Sequence, residues 1–413
     1  MTMRSLLNSS ALRSAFGFAL GGFGFALANL LLAKMLPPED YGLVVLFVAL
    51  TQLGATLGPA GMETVAIRHR LGASGSLLVR VILSGTVFAG IVALAATVLF
   101  DIQTWFAVIL VVGMILAALN RLGCAFLQSL ERYRRSLGVM MAHNGVLVVA
   151  TLVLLTQKHR DVETVALILA LGYGCTATYG WIIGRRHFPS DTLESLAPLG
   201  REGFMILASQ MSTAVLNQLD RILIPRLLSP GALGHYAAVS TLTASPFNLL
   251  QSGARHTLLP KLRNCSDYHT ALAHIRSEAG AALAIVGLAA AGSLLLAPLL
   301  GDLLFKGRYE FEMDLVAVIV GIGVLKVWHS FAVGCIQALG TRRSLVMLSV
   351  ASWVALAVAL VCGLFTDQAE LVAIVTGIGA GWVVLCTAST LIAIFAVRNS
   401  FAEPAAEEEL AEI

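Results

Sequence analysis

The sequence is poor in charged residues. Asp, Glu, Lys and Arg make up 12% of its 413 residues, whereas hydrophobic residues make up 58%. A soluble domain carries about 25% charged residues, so this composition does not suit a water-exposed globular surface. It is typical instead of a chain that crosses a membrane many times.

Motifs for metal binding, redox chemistry and catalysis are also missing. The six cysteines stand singly, mostly within apolar stretches, and show no CxxC or metal-ligand spacing. There is no HExxH motif, no phosphate-binding P-loop and no Ser/His/Asp set. We therefore expect no catalytic residue, no metal site, no bound cofactor and no nucleic-acid partner, and we do not class the protein as a conventional enzyme.

The apolar residues form stretches long enough to cross a bilayer, which requires about 20 residues. The first stretch is longer than the core of a signal peptide and has no small-residue cleavage site, so we expect it to remain as a span. We predict an all-α integral membrane protein with twelve transmembrane helices, at roughly residues 13–36, 42–66, 77–100, 105–127, 138–157, 162–184, 201–228, 233–259, 279–300, 314–338, 344–366 and 370–397.

Two short motifs recur in the second half of the chain. Gln128–Leu137 and Gln337–Leu345 each close a long apolar stretch and share Gln, Leu, Arg-Arg and Ser-Leu. Lys34–Gly42 and Arg226–Gly234 share a basic residue, Leu, Pro and Gly at a shift of 192 residues. Two similar halves are the usual plan of a transporter that has its site between the repeats.

Charge placement predicts how these halves are oriented. Most lysines and arginines fall at the termini and in the even-numbered loops, which places both termini in the cytoplasm. Six spans per half is an even number, so the halves insert the same way up, related by a pseudo-two-fold axis along the membrane normal. We predict a six-helix lobe at residues 1–186, a cytoplasmic linker at 187–200, a second six-helix lobe at 201–399 and an acidic cytoplasmic tail at 400–413.

Span seven carries the clearest polar face within the membrane. Its polar residues recur every three or four positions and therefore lie on one side of a helix. A face of this kind is costly in hydrocarbon, so it lines a water-filled cavity or docks the span onto a neighbour through a local ion pair. The residues are Ser209, Thr213, Asn217, Asp220 and Arg221.

Charged residues also occur inside other predicted spans. Lys326 and His329 lie near the middle of span ten, where a side chain cannot easily reach the membrane surface, and Arg121 lies in span four. The 192-residue shift aligns Arg255 of span eight with Glu63 of span two. These two charges either face a cavity with unlike walls or reach the inner membrane surface through their long side chains.

Most of the clearest intramembrane charges are cationic. Arginine forks match phosphate oxygens and lysine supplies a point charge, so this balance favours an anionic ligand such as a phosphate or an acidic sugar. Asp220 and Glu63 are the carboxylates available for coupling to protons or sodium. The predicted substrate-binding residues are Arg121, Asn217, Arg221, Arg255, Lys326 and His329.

The sequence resembles a known family of membrane proteins. The segment Leu31–Gly42 after a glycine-rich first span, the Gln- and Arg-containing ends of spans four and ten, and the Asp220–Arg221 pair are similar to those of bacterial polysaccharide flippases. These belong to the multidrug/oligosaccharidyl-lipid/polysaccharide exporter superfamily. The resemblance implies a two-lobed, V-shaped bundle with a cationic central cavity, for which Arg121, Arg221, Arg255 and Lys326 are the matching candidates.

The resemblance also implies a function. We expect a flippase of the bacterial cytoplasmic (inner) membrane that moves an oligosaccharide linked to undecaprenyl pyrophosphate from the inner to the outer leaflet by alternating access. The products would be cell-surface polysaccharides such as the O-antigen of lipopolysaccharide or an exopolysaccharide. Expected partners are the lipid-linked oligosaccharide and membrane lipids, with a glycan polymerase and other assembly proteins as further candidates.

Three alternatives remain open. A cation-coupled multidrug exporter of the same fold should have an anionic cavity, whereas this sequence is more basic within its spans. A membrane-embedded glycan polymerase or ligase commonly needs a sizeable outer loop, but the longest one here, at about 301–313, is short. A scaffold subunit of an assembly machine has little need for intramembrane charges.

Overall fold

The structure is a computed structural model. It describes residues 10–69, 71–130, 132–156, 161–187, 196–263, 267–366 and 370–400. Within these ranges it gives the backbone alone for residues 10–22, 133, 134, 137, 141, 143, 187, 196–199, 249, 252–261 and 263.

The described residues form thirteen helices and no strand. In chain order they are α1 (Ser10–Met35), α2 (Pro38–Leu57), α3 (Met62–Arg68), α4 (Gly75–Phe100), α5 (Thr104–Ser129), α6 (Tyr133–Thr156), α7 (Val162–His187), α8 (Leu196–Leu227), α9 (Pro230–Arg263), α10 (Tyr268–Phe305), α11 (Met313–Leu339), α12 (Arg342–Phe365) and α13 (Leu371–Ser400).

Each of the twelve predicted spans coincides with one long helix, except span two. That span is divided between α2 and the seven-residue α3. The break contains Pro59, and the next two residues, Ala60 and Gly61, have φ values of 52° and 76°. A residue with a positive φ cannot continue a right-handed helix, so these two positions turn the chain out of α2.

Nine of the described helices are long and apolar enough to cross a membrane by length and composition. Within the described residues, α8 and α9 are not among these nine because polar side chains dilute their hydropathy. Length and composition together confirm the prediction of an all-helical, multi-pass membrane protein.

Helix α10 begins well before its predicted start at residue 279. Asp267 caps its first turn by accepting a hydrogen bond of 2.8 Å from the backbone N–H of Thr270. Hydrogen bonds from the Thr270 side chain and backbone lower the pKa of the Asp267 carboxyl below its ordinary value. A polar opening turn of this kind extends a helix beyond the apolar stretch from which the span was predicted.

Residues 23–238 form one compact unit. Helix α5 is its central element and packs against α2, α3, α4, α6 and α7. The core beside α3 and α4 contains Met62, Leu77, Ala118 and Phe126, all almost completely buried. Helix α8 also belongs to this unit and packs along α2 and α3.

The described residues from 239 onward, together with residues 10–22, form the second compact unit. Its best-packed described elements are α11, α12 and α13. A β-carbon at Gly377 would lie 2.7 Å from the carbonyl oxygen of Cys362, and one at Gly381 would lie 2.5 Å from that of Ala355. These glycines therefore allow α12 and α13 to approach closely, as small residues do in membrane bundles.

The predicted boundary between the repeated halves differs from this division into compact units. The compact unit continues to residue 238 because α8 packs on α2, whereas the repeat in the sequence places a linker at 187–200. The lobe boundaries stay a prediction. Residues 188–195 of the linker and 401–413 of the acidic tail lie outside the described residues.

The recurring proline–glycine motif marks a reciprocal contact between the first turns of α2 and α9. Gly42 lies against the carbonyl of Pro230, and Gly234 lies against the carbonyl of Pro38. A β-carbon at Gly42 would also lie 3.2 Å from the backbone nitrogen of Gly234, and one at Gly234 would lie 3.3 Å from that of Gly42. The two helices therefore cross backbone to backbone, with repeat-related residues in equivalent positions.

We predict that Gly42→Ala destabilises the protein. The added methyl group would collide with the backbone oxygen of Pro230, which cannot move as a flexible side chain can. Overpacking of this kind costs about 1–3 kcal/mol. The matched control is Gly90→Ala in α4, where a β-carbon meets nothing within 4 Å. Thermal unfolding of the two purified variants measures the difference, and equal stability would contradict the prediction.

Candidate functional site

The polar face predicted on span seven lies on α8. Asn217 donates from Nδ2 to the carbonyl of Thr213 at 2.9 Å, and the Ser209 hydroxyl donates to the carbonyl of Ile206 at 2.7 Å. These bonds stay within the helix and satisfy the side chains locally. The interactions that reach neighbouring helices come from the turn containing Asp220 and Arg221.

Asp220 is held by a hydroxyl group from the next helix. Its side chain is buried, and Oδ2 accepts a hydrogen bond from the hydroxyl of Tyr236 on α9. Its Oδ1 accepts a bond of 2.9 Å from the backbone N–H of Arg221. Both carboxylate oxygens therefore have donors, as a buried carboxylate requires, and neither donor is a charged side chain.

Arg221 takes part in a chain of hydrogen bonds that crosses from α8 to α2. Its Nη1 donates to Oε1 of Gln218 at 3.0 Å, and Nε2 of Gln218 donates to Oε1 of Gln52 at 2.8 Å. Among the residues that the structure describes, no carboxylate lies within 4 Å of the Arg221 guanidinium. The neighbouring Asp220 and Arg221 therefore do not form the local ion pair that the sequence left open.

Three residues of this network were missed by the sequence analysis: Gln52, Gln218 and Tyr236. Their only sequence signal is that they are polar groups within apolar stretches. Gln52 and Gln218 are 166 positions apart, so nothing local connects them. Only the packing of α2 on α8 reveals that the two amides meet.

Glu63 lies in the first turn of α3, and Asn120 and Arg121 lie on α5, which packs against it. Glu63 and Asn120 are each 6% exposed, and one oxygen of each, Oε2 and Oδ1 respectively, is buried without a hydrogen-bond partner among the described residues. Arg121 is exposed and close enough to interact electrostatically with the Glu63 carboxylate. Two residues predicted for different roles thus belong to one local group.

Lys326 and His329 lie on α11 in the other compact unit, where both face α13. The Lys326 ammonium lies 4.8 Å from the centre of the fully buried Trp382 ring, a cation–π contact. His329 is buried, and its Nδ1 lies 3.0 Å from the hydroxyl oxygen of Ser389. Each side chain therefore has a defined partner on α13.

The remaining predicted residue, Arg255, lies on α9, but its side chain is outside the described residues. Its pairing with Glu63 through the repeat stays a prediction. Of the other candidates, the structure brings Asn217, Asp220 and Arg221 together on α8, Glu63 beside Arg121, and Lys326 beside His329.

The hydrogen-bonding capacity of Arg221 on α8 would suit an anion. Arg221 uses one described side-chain donor on a neutral amide oxygen, and its guanidinium has five N–H donors in all. Because no described carboxylate neutralises it, its charge remains available to a ligand with phosphate or carboxylate oxygens. Tyr236 keeps Asp220 bonded away from that guanidinium.

The fold of these helices resembles that of solved membrane proteins. Lipid II flippase MurJ, in an inward closed conformation, superposes with a TM-score of 0.70 at 11% identity, covering 94% of this chain and 89% of MurJ. A MATE protein in a bent conformation gives 0.56 at 16% identity, covering 98% and 96%. A MOP superfamily transporter from Pyrococcus furiosus gives 0.50 at 14% identity, covering 94% of each chain.

The sequence profile of the polysaccharide biosynthesis protein family matches residues 23–266, more than half of the chain. The chain belongs to this family. No curated protein matches the sequence. The family match and the structural likeness confirm the resemblance read from the sequence and the predicted fold class of twelve membrane helices in two six-helix halves.

We predict that Tyr236→Phe destabilises the protein. Removing the hydroxyl leaves Oδ2 of the buried Asp220 without its donor, and an unsatisfied buried group costs about 1–3 kcal/mol. The control is Tyr179→Phe, because Tyr179 is 47% exposed and its hydroxyl donates to no carboxylate among the described residues. The midpoint of thermal unfolding should fall for Tyr236→Phe alone, and an unchanged midpoint would mean that the hydroxyl does not hold Asp220.

Proposed function

We propose that this protein is a flippase of the bacterial cytoplasmic membrane that translocates a polyprenyl-pyrophosphate-linked oligosaccharide to the outer leaflet for cell-surface polysaccharide synthesis. Membership of the polysaccharide biosynthesis family and a fold like that of a lipid II flippase support the proposal. The mechanism is alternating access, in which the pyrophosphate and sugar pass through the protein while the polyprenyl chain stays in lipid.

The observation that carries the proposal is the hydrogen bonding of Arg221. A guanidinium within the predicted membrane region is bonded to the neutral oxygen of Gln218, although a carboxylate occupies the preceding position in the sequence. An arginine that only docked two helices would gain most from an ion pair. One kept apart from its carboxylate is suited to pair with the phosphate oxygens of a passing substrate.

Several moderate contacts suit transport better than one strong contact, because the substrate must also be released. Lys326 supplies a second cation, whose ammonium is positioned by Trp382. Arg121 and Arg255 are the further candidates. His329 and Asn217 would contribute polar contacts to the sugar or phosphate, although each already has a partner in Ser389 and Thr213 respectively.

Coupling to an ion gradient would use the buried carboxylates. Both oxygens of Asp220 have hydrogen-bond donors, whereas Glu63 keeps one oxygen without a donor among the described residues. Binding a proton or sodium ion at Glu63 would satisfy that oxygen. We therefore place Glu63 ahead of Asp220 as the coupling residue, with the ion to be identified by transport measured under imposed proton or sodium gradients.

The flipping step can be tested in cells that lack this protein but still make the lipid-linked units. Under our proposal, complete oligosaccharide-pyrophosphate-lipid accumulates in the inner leaflet, protected from a label confined to the periplasm, and the intact gene relieves this accumulation. Normal outward exposure without accumulation would mean that another protein flips the lipid. The multidrug-exporter alternative would then lead, since MATE proteins share the fold.

We predict that Arg221→Ala and Lys326→Ala each abolish restoration of surface polysaccharide while leaving the amount of protein in the membrane unchanged. Each change removes a cation that would replace part of the water around the phosphate. The control is Arg186→Ala, which removes an exposed arginine at the end of α7. Quantitative immunoblotting gives the abundance, and full activity of both variants would contradict the cationic site.

A further inference from the structure

Glu202 on α8 binds two basic side chains from the end of α3. Nη1 of Arg68 lies 2.8 Å from Oε1 of Glu202, and Nε2 of His69 lies 2.9 Å from Oε2. Each carboxylate oxygen therefore has its own donor. Two donors that converge on two oxygen atoms of one anion would serve equally well for two oxygen atoms of a phosphate.

The same short part of α8 is held at two further points. The break before α3 packs against Gly203, since a β-carbon there would lie 2.9 Å from the carbonyl oxygen of Ala60. The guanidinium of Arg80 on α4 lies against Gly200, where it would collide with a β-carbon. Arg80 thus packs on the same turn of α8 as Glu202, against a different residue.

The contacts of α2 and α3 with the α8–α9 segment differ in kind along their length. Near Gly42 the contact is backbone against backbone, and the side chain of Glu39 lies against Gly231. Near Glu202 it includes an ion pair whose side chains are 64% exposed at Arg68, 44% at His69 and 29% at Glu202. Exposed ion pairs are weak and open to competing anions, so the end near Glu202 is the one that an anionic ligand can release.

We propose that Arg68 and His69 form a phosphate-binding site that the Glu202 carboxylate occupies in this structure, and that the pyrophosphate of the lipid-linked substrate displaces it. This inference rests on the proposed function. The distribution of basic residues predicts that this end of α3 lies on the cytoplasmic side, where the proposed substrate would be loaded. The site is therefore an entry site, separate from Arg221.

Displacement would also remove the charged contact between the end of α3 and α8. Helix α3 has seven residues, so its end at Arg68 would loosen while the buried Met62 and the α2 contact at Gly42 stay in place. Binding of the headgroup would thus exchange an internal contact for a substrate contact. That exchange couples loading of the substrate to opening of this end of the protein.

Binding measured on the full-length protein in phosphatidylcholine nanodiscs tests the site. Native mass spectrometry would compare undecaprenyl pyrophosphate with undecaprenol, inorganic pyrophosphate and phosphatidylglycerol. Glu202→Gln removes the competing charge and should raise the affinity for undecaprenyl pyrophosphate about tenfold. The reason is that the apparent affinity equals the intrinsic affinity multiplied by the fraction of molecules in which Glu202 has left the site. The double variant Arg68→Ala/Glu202→Gln should lose this gain, and Glu310→Gln, at an exposed glutamate, should not show it.

Hydrogen exchange supplies a second readout. Undecaprenyl pyrophosphate should speed exchange of the backbone amides of residues 62–69 in the unmodified protein, and Glu202→Gln should do so without ligand. Undecaprenol should not change the rate of amide exchange in the unmodified protein or in Glu202→Gln, because it lacks the phosphates. Phosphatidylglycerol should also leave both unchanged.

Three outcomes would overturn the inference. The first is unchanged affinity and exchange in Glu202→Gln while the unmodified protein binds undecaprenyl pyrophosphate, which leaves the proposed function standing. The second is a gain with inorganic pyrophosphate or phosphatidylglycerol and none with undecaprenyl pyrophosphate, which removes the lipid-linked source. The third is no binding of undecaprenyl pyrophosphate by any variant, which would overturn the proposed function as well.

Discussion

The close approach of α2 and α9 at Gly42 and Gly234 is the constraint on which the described polar network depends. In a bilayer, helices gain little from the hydrophobic effect on meeting, so they associate where small residues let backbones touch. Here each glycine leaves room for the carbonyl of the proline in the other copy of the motif. This close approach brings α2 alongside the α8–α9 segment. Gln52 can then reach Gln218, because their helices pack together.

The two charged side chains of this network, the buried Asp220 and the half-buried Arg221, have neutral hydrogen-bond partners. Tyr236 satisfies Asp220 and Gln218 satisfies Arg221, so two groups that are adjacent in sequence remain separate in their bonding. A direct ion pair would cancel the charge of the arginine. Neutral hydrogen-bond partners instead stabilise both groups while preserving the electrostatic field that an anionic substrate would encounter.

Much of the fold could be predicted from the sequence, because the length and apolarity of a span are local properties. The break between α2 and α3 was not predicted, since Gly58–Gly61 lies within a continuous apolar stretch and hydropathy does not register backbone conformation. For the site, periodicity located the polar face of α8, and charge located Glu63, Arg121 and Lys326. The hydrogen-bond partners of these residues could not be predicted, because they come from helices distant in the chain.

The sequence by itself determined that this is an all-helical membrane protein of two similar halves, the family to which it belongs, and which polar residues lie within its spans. These properties follow from composition, periodicity and repetition, which need no knowledge of distant contacts. Only the tertiary structure decided that the Asp220 side chain bonds to Tyr236 instead of the Arg221 guanidinium. It also decided that Trp382 lies under Lys326 and that Glu202 contacts Arg68 and His69. Each of those pairings depends on which helices are neighbours, and packing alone sets that.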